Sequence, residues 1–390
     1  MDKQLLIQPI EVKYCKLCVV SNQRPRIVFD DEGICSACRF ANEKQNIINW
    51  QAREKELEQL LEKHRSRDDR WDVVVPCSGG KDSSYVAHQL KYKYGMNPLT
   101  VTWAPFKYTD IGWKNYQNFI GSGFNNILCH PNGKFHRQLA RLAFEELGDA
   151  WQPFTYGQMC FAFHIALRFN IKIIFFGENG EAEYGGDPKN NYKSHMPLED
   201  WAFLYFKGAT VDNLVQYGLK NKEYLKEEHY TNADIMFYRP PSIEELKRAG
   251  IDMHWYSYYH KWIPQENYYY SVENTGFQAN PERSEGTYSK YASLDDRLDG
   301  FHYYLAFIKF GIGRATSDAA HEIRDGHITR EEGVALVKRF DGEFPKKYHA
   351  EFLDYLGISE EYFYEVVDFW RPDHIWEKVN GHWRLKHQVE

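Results

Sequence analysis

The chain has 390 residues, enough for two or three domains, and its 43% hydrophobic and 26% charged residues exclude a disordered or fibrous protein. The net charge of −7 argues against a nucleic-acid-binding protein, because phosphate contacts need clustered Lys and Arg. No apolar run reaches the roughly 18 residues of a membrane span, and the N-terminal sequence MDKQLLIQPIEVKYC lacks the apolar core of a signal peptide. We therefore expect a cytoplasmic protein with no membrane association.

Four cysteines lie within the first 40 residues as two Cys-x-x-Cys pairs, Cys15/Cys18 and Cys35/Cys38. Each pair brings two thiolates onto one ion, and two pairs complete a tetrahedral shell, so the spacing predicts a Zn²⁺ site. Four protein ligands leave no open position, which indicates a structural ion in a small ribbon over residues 1–40. An iron–sulfur cluster or a redox pair is the alternative.

Residues 41–68 mix apolar and charged residues as an amphipathic helix does, and we interpret them as a connector. Short β-branched runs then alternate with longer helical patterns. The runs are 71–77, 98–105, 125–131 and 171–178, and the helical patterns are about 82–95, 112–121, 133–148 and 156–169. This alternation predicts an α/β fold with a doubly wound parallel sheet, in a domain over residues 69–265.

The second half of the chain has weaker patterns. Residues 197–230 and 242–249 favour helices, 251–260 favour one more strand, and most of the chain after about residue 300 favours helices. We therefore expect a mainly helical C-terminal region, 266–390, that serves a substrate or partner.

The segment VVVPCSGGKDSS joins the first predicted strand to a helix. Glycines let the backbone approach an anion, successive N–H groups form a nest for phosphate oxygens, and a helix N-terminus adds its dipole. The pattern is not the Walker loop, because Asp82 follows Lys81. The predicted phosphate-binding residues are Ser78, Gly79, Gly80, Lys81, Asp82, Ser83 and Ser84.

The sequence SGGKDS resembles the loop of the PP-loop ATP pyrophosphatases, which split ATP between its α and β phosphates. That resemblance implies ATP and Mg²⁺ as cofactors, with Lys81 and Asp82 acting in catalysis. It implies that adenosine lies near Thr102, at the end of the second strand. The fourth strand ends in GENGEAE, where carboxylates suit Mg²⁺, and Glu178, next to Gly177, is the first choice.

The combination of cysteine ribbon and loop resembles the N-acetyl sugar amidotransferases of bacterial surface-glycan pathways. The matching stretches are 14–38, VVVPCSGGKDSSYVAHQLK, TVTWAP, FFGENGEAEYGG, SYYHKW, GTYSKYASLDDRLDG and IKFGIGRATSDAAHEIRDGHITREEG. The resemblance implies conversion of an acetamido group to an acetamidino group through an adenylated imidate that ammonia attacks. It also implies separate glutaminase and cyclase-like proteins that supply the ammonia, and a homo-oligomer is possible.

Several distal residues are candidates for the same site. Arg314 follows two glycines and is a candidate clamp for a phosphate or carboxylate, with Arg324 and Arg330 as weaker candidates. Lys261 is a candidate for reaching the phosphates. Other candidates are His254 and His260 as acid or base, and Asp295 and Asp296 as helix caps.

Two other functions compete with the amidotransferase. A PP-loop tRNA thiolase would also adenylate a carbonyl but deliver sulfur through catalytic cysteines, and Cys77 beside the loop keeps that hypothesis open. A small buried Cys explains the same position. A zinc-ribbon interaction module with a degenerate nucleotide fold is disfavoured by the intact Lys81, Asp82 and Ser83.

Overall fold

A computed structural model describes residues 8–195, 206 and 208–390, and a five-stranded parallel sheet lies at its centre. The strands are β1 (Val73–Pro76), β2 (Pro98–Trp103), β3 (Asn125–Cys129), β4 (Ile173–Phe176) and β5 (Asp252–Trp255). Their order is β3-β2-β1-β4-β5. From the central strand β1, β2 and β3 extend the sheet to one side, and β4 and β5 extend it to the other. This reversal of direction leaves a crevice beyond the carboxyl ends of β1 and β4.

Helices cover both faces of this sheet and also build most of the C-terminal region, which has cores of its own. Their bounds are α1 (Ser36–Asn46), α2 (Trp50–His64), α3 (Lys81–His88), α4 (Asp110–Gly121), α5 (Gly133–Leu147), α6 (Gln152–Phe169), α7 (Gly180–Glu183), α8 (Val211–Asn221), α9 (Asn232–Ile235), α10 (Ile243–Ala249), α11 (Tyr256–Tyr259), α12 (Pro264–Thr275), α13 (Asp299–Phe310), α14 (Arg314–Asp325), α15 (Arg330–Phe340), α16 (His349–Leu356) and α17 (Glu360–Phe369). A π-helical turn, Gln89–Lys93, continues α3.

Alternate residues of the central strands point into two separate cores. Val74 and Ile174 pack with α5 and α6 on one face, whereas Val75 and Phe175 pack with α2 and α3 on the other. Burial on both faces explains why these strands are continuously apolar rather than alternating with polar residues. The predicted α/β class with a parallel sheet is confirmed.

The connector prediction for residues 41–68 is wrong in detail, because two helices occupy it. The first part continues α1, and α2 begins afresh after Asn49, whose side chain accepts a hydrogen bond from the backbone N–H of Ala52. Ile47 between the helices is 70% exposed, so no packing favours a continuous helix there.

In the second half of the chain one prediction is corrected, and the mainly helical C-terminal region is present as predicted. The strand expected over 251–260 ends at Trp255, the last residue paired with β4, and its aromatic continuation forms α11. The C-terminal helices are followed by an antiparallel hairpin of β6 (Trp376–Val379) and β7 (His382–Leu385). Its turn residues, Asn380 and Gly381, both have positive φ, as this type of tight hairpin turn requires.

The helix predicted over 197–230 falls partly outside the described residues. Within the described part, α8 covers Val211–Asn221, and the helix predicted over 242–249 is present as α10. Among the described residues, no helix combines the length and hydropathy needed to cross a bilayer.

The cysteine module packs against the C-terminal helices as well as the central domain. Val19 shares a core with Ile312, Ala319 and Val337 of the C-terminal region, and Arg330 donates a hydrogen bond to the carbonyl of Cys18 at 3.2 Å. The domain boundaries at residues 40, 68 and 265 stay a prediction.

Candidate nucleotide site and cysteine cluster

The loop between β1 and α3 has the backbone that an anion nest needs. Gly79 has φ +84°, and a Cβ there would lie 2.6 Å from the Cα of Tyr116, so only glycine fits. Gly80 is the N-cap residue of α3 and provides no side-chain cap. The first N–H groups of α3 are therefore free of a capping side chain and point out of the helix N-terminus.

Helix α12, which the sequence did not connect with the loop, holds it from outside. Ser271 donates its hydroxyl to the carbonyl of Lys81 at 2.7 Å, and Asn267 donates its amide to Asp82 Oδ1 at 3.0 Å. Asp82 also forms an ion pair with Lys81. The two charged residues of the loop are thus oriented by a helix almost 200 residues further along the chain.

A cavity of about 480 Å³ opens beyond the carboxyl ends of the strands, a volume in the range of small-molecule sites. It contains residues that the sequence placed in separate motifs. The predicted residues that line it are Ser78, Gly79, Gly80, Lys81, Asp82, Ser83, Thr102, Gly177, Glu178 and Arg314. Their individual roles stay predictions, but the fold brings them to one place.

Two predicted residues do not line the cavity. Ser84 is fully buried, with its hydroxyl 3.9 Å from Cys77 Sγ, and Lys261 follows α11 outside the lining. Neither side chain is positioned there to contact a ligand directly. The structure also keeps Arg324 and Arg330 out of the lining: they donate to the carbonyls of Glu183 and Cys18.

The histidine candidates likewise lie elsewhere. His254 Nδ1 is 2.8 Å from the hydroxyl of Tyr259, and His260 Nε2 is 2.5 Å from that of Tyr94. Burial lowers the pKa of His260 to about 4. Neither histidine lines the cavity.

The acidic turn after β4 divides into one carboxylate facing the cavity and two that are engaged elsewhere. Glu181 pairs with Arg26 at 2.5 Å, and Glu183 pairs with Lys44 at 2.9 Å. Glu178 lines the cavity, and its hydrogen-bond contact is a long one, 3.5 Å from the Tyr184 hydroxyl. Burial, and then repulsion from Asp82, raise the pKa of Glu178 to about 7. A cation bound beside Glu178 would offset this cost, because it stabilises the ionised form of a buried carboxyl group.

Asp295 and Asp299 form the opposite wall of the cavity. Burial and the nearby Asp299 raise the pKa of Asp295 to about 6, and Asp295 also contacts the Ser78 hydroxyl. The expectation that Asp295 caps a helix is wrong, since α13 begins at Asp299 without a side-chain cap. Asp296 accepts the backbone N–H of Leu298 at 2.8 Å and so fixes the turn before α13.

Arg314 is the first residue of α14 and reaches the cavity from the C-terminal region. Its Nε donates to Asp318 at 3.0 Å, and one terminal nitrogen donates to the hydroxyl of Tyr303, which also lines the cavity. These contacts fix the direction of the guanidinium, as a bidentate anion clamp requires.

The four cysteines of the N-terminal module form one buried cluster, with their sulfur atoms within 4.8 Å of one another. The Cys15–Cys38 and Cys18–Cys35 sulfur distances are both 3.8 Å. Zn–S bonds of about 2.3 Å in a tetrahedron place the sulfurs about 3.8 Å apart, so the cluster fits zinc. Backbone N–H groups of Leu17, Cys35 and Cys38 donate to sulfur at 3.3–3.4 Å, which stabilises thiolates.

Three comparisons with known proteins give partial matches. A family model described as "LPS biosynthesis protein WbpG-like, C-terminal domain" matches residues 285–390. An uncharacterized protein of Methanocaldococcus jannaschii is 28% identical over 88 residues, which is 22% of this chain and 31% of that protein's own length. The NMN synthetase of Francisella tularensis has a solved structure with a TM-score of 0.28 and 11% identity, covering 60% of this chain and 100% of that one.

The region that the family model matches lines part of the cavity. Its matched region supplies the wall formed by Tyr291, Asp295, Asp299, Tyr303 and Arg314. The chain therefore contains a region similar to a lipopolysaccharide-biosynthesis protein, and this region faces the phosphate loop across one cavity.

Proposed function

We propose that this protein is an ATP-dependent, AMP-forming amidotransferase that converts an acetamido group of a bacterial surface-glycan sugar into an acetamidino group. The observation that carries the proposal is the shared cavity. The loop whose sequence resembles that of PP-loop enzymes forms one side, and the region similar to a lipopolysaccharide-biosynthesis protein forms the other.

The reaction begins with an amide oxygen, which is a poor leaving group. Attack of that oxygen on the α-phosphorus of ATP forms an O-adenylated imidate and releases pyrophosphate. Ammonia then adds at the imidate carbon, loses a proton, and the C–O bond breaks to release AMP and leave the amidine. No protein nucleophile is needed, because the substrate itself is activated.

In this reaction, residues of the cavity are proposed to bind the phosphates of ATP, the magnesium ion and the sugar substrate. Lys81 and the N-terminus of α3 are suited to bind the β and γ phosphates, and Glu178 with Asp82 would hold Mg²⁺. Magnesium would neutralise charge on the departing pyrophosphate. Arg314 is suited to an anionic group of the sugar substrate or to a phosphate. The aromatic side chains of the cavity provide stacking surfaces and exclude water; they include Trp103, Trp151, Phe154, Phe161 and Tyr291.

The thiolase hypothesis gains no support from the cysteines near the site. Cys77 is 2% exposed, and burial raises its pKa to about 11, which disfavours the thiolate that sulfur transfer needs. Cys160 is fully buried as well. The ammonia is proposed to come from glutaminase and cyclase-like partner proteins, in the cytoplasm.

The test supplies the purified protein with ATP, Mg²⁺, ammonium and an acetamido sugar, either nucleotide-linked or a nonulosonic acid. We expect AMP, pyrophosphate and a product one mass unit lighter than the sugar, as replacement of O by NH requires. Lys81→Ala abolishes turnover while the zinc content stays unchanged. Formation of ADP, or turnover only with tRNA and a sulfur donor, contradicts the proposal.

A further inference from the structure

A lysine on α1, the helix that continues the chain from the cysteine ribbon, is buried among three distant segments of the chain. Lys44 lies near the end of α1, the helix that carries Cys38, and is 2% exposed. Its ammonium donates to Glu183 Oε2 at 2.9 Å and to the carbonyl of Trp262 at 2.8 Å, and it lies 3.5 Å from Asp325 Oδ1. The ammonium group therefore makes two hydrogen bonds and one longer ion pair.

Two of the three partners belong to segments that also contribute residues to the cavity lining. Glu183 ends the short helix that follows Glu178, the carboxylate proposed to hold magnesium. Asp325 ends α14, whose first residue is Arg314. One ammonium group therefore touches the turn and the helix that carry two of the predicted ligand-binding side chains.

The third partner leads to the phosphate loop. Trp262 lies two residues before α12, the helix whose Ser271 and Asn267 hold Lys81 and Asp82 by hydrogen bonds. Trp262 is itself 1% exposed, so its carbonyl has no freedom to seek water when the ammonium is lost.

A second contact from the same module supports this arrangement. Arg26 forms a two-nitrogen hydrogen-bonded pair with Glu181, and Ser36 donates its hydroxyl to the carbonyl of Gly186 at 3.1 Å. The cysteine module thus forms hydrogen bonds with the acidic turn on both sides of Glu183. Breaking a buried ion pair leaves an uncompensated charge, so removal of the Lys44 ammonium forces these segments to rearrange.

We infer that Lys44 is a positioning residue, which ties the metal-holding module to the acidic turn, to α14 and to the segment before α12, and so sets the geometry of the ATP site. This inference rests on the proposed function only for the identity of the nucleotide. In this arrangement α1, the helix that carries Cys38, also holds the acidic turn, α14 and the segment before α12 in fixed positions relative to one another.

The test compares Lys44→Met with Lys309→Met in the zinc-loaded protein. Lys309 is the control, because it is also a buried lysine that donates to a backbone carbonyl, but that carbonyl belongs to Leu147 (3.0 Å), at the end of α5 and outside the three segments. Hydrogen exchange is followed by mass spectrometry over residues 178–187, 262–271 and 314–325, with β3 as an internal reference. Binding of ATP is measured by calorimetry with and without Mg²⁺.

We expect Lys44→Met to keep its zinc, to speed exchange in all three segments, and to weaken Mg²⁺-dependent ATP binding by about tenfold or more, as loss of one partner of a buried pair predicts. Lys309→Met leaves the three segments and ATP binding at wild-type values. If Lys44→Met does not fold, Asp325→Asn keeps the side-chain shape, removes one charge, and gives the same changes at smaller amplitude.

The inference is overturned if the three segments of Lys44→Met exchange at the same rates as in the wild type. It is also overturned if both lysine variants lose ATP affinity equally. If the wild-type protein binds no ATP, the proposed function fails, and the exchange pattern alone then decides the role of Lys44. The two failures are therefore distinguishable.

Discussion

Replacement of Glu178 by glutamine should raise the free energy of unfolding of the protein. The same replacement should abolish magnesium-dependent ATP binding. The pKa of Glu178 is raised from 4.5 to about 7, by burial first and by Asp82 second. A group that binds its proton more tightly in the folded state stabilises the fold below its unfolded pKa, and this stability is lost as the pH rises through the folded pKa. Above pH 7 the folded protein therefore carries the full cost of an ionised Glu178.

The size of that cost follows from the shift. A shift from 4.5 to about 7 corresponds to about 3 kcal/mol at pH 8, at about 1.4 kcal/mol for each pKa unit. At pH 5 most of the cost is absent, because the folded carboxyl is already protonated. Glu178→Gln should thus gain about 2 kcal/mol more stability at pH 8 than at pH 5.

Denaturant unfolding of the wild type and of Glu178→Gln at the two pH values measures this difference. Glu58→Gln is the control, since Glu58 is an exposed carboxylate on α2 away from the cavity, and it should change little at either pH. In parallel, Glu178→Gln should lose the magnesium dependence of ATP binding, a gain of stability at the expense of function. A stability change that is the same at both pH values, or a loss of stability at pH 8, refutes this account of Glu178.

Three further outcomes are expected. Gly79→Ala should weaken ATP binding, measured by calorimetry, by at least about tenfold. The φ of +84° at Gly79 is unfavourable for alanine, and the added methyl would lie 2.6 Å from the backbone of Tyr116. Unchanged affinity would show that the loop does not hold the phosphates. Cys38→Ala should lose bound zinc, measured by elemental analysis, and lower the unfolding temperature, because metal binding contributes to folding of the module; full zinc content in this variant contradicts the four-thiolate site. Cys77→Ser should keep AMP formation within about threefold of the wild type, because the buried thiol is proposed to pack rather than to react; complete loss of turnover with intact ATP binding would favour sulfur chemistry.

The features that could be predicted from the sequence are those encoded within a few consecutive residues. The cysteine pairs, the glycine loop and the strands are each local, since the spacing, the backbone freedom or the apolar run lies in one short segment. The parallel sheet followed from alternation of such segments. The hairpin signal is also local: Asn380-Gly381 between Trp376 and Leu385 is a strong turn signal, which the prediction of a mainly helical C-terminal region did not include.

The remaining parts of the site depend on contacts between distant segments. Nothing near Asp295 indicates that its carboxyl lies against Ser78, and nothing in α12 marks Ser271 as a partner of the loop. Lys44 is one of several lysines in a charged stretch, where lysine is normally solvated, and only the fold shows that its ammonium is buried. The end of β5 is a related case, because aromatic residues suit either a strand or a buried helical turn.

The packing of the cysteine module on the C-terminal helices has a consequence for the order of folding. The hydrogen bond from Arg330 to the Cys18 carbonyl joins residues 312 positions apart, and Ile312 and Val337 complete the core under Val19. The module precedes the helices that cover its apolar side, so during synthesis it emerges before them. Contacts of such long sequence separation form slowly, so we expect this face of the module to stay uncovered until those helices have been made.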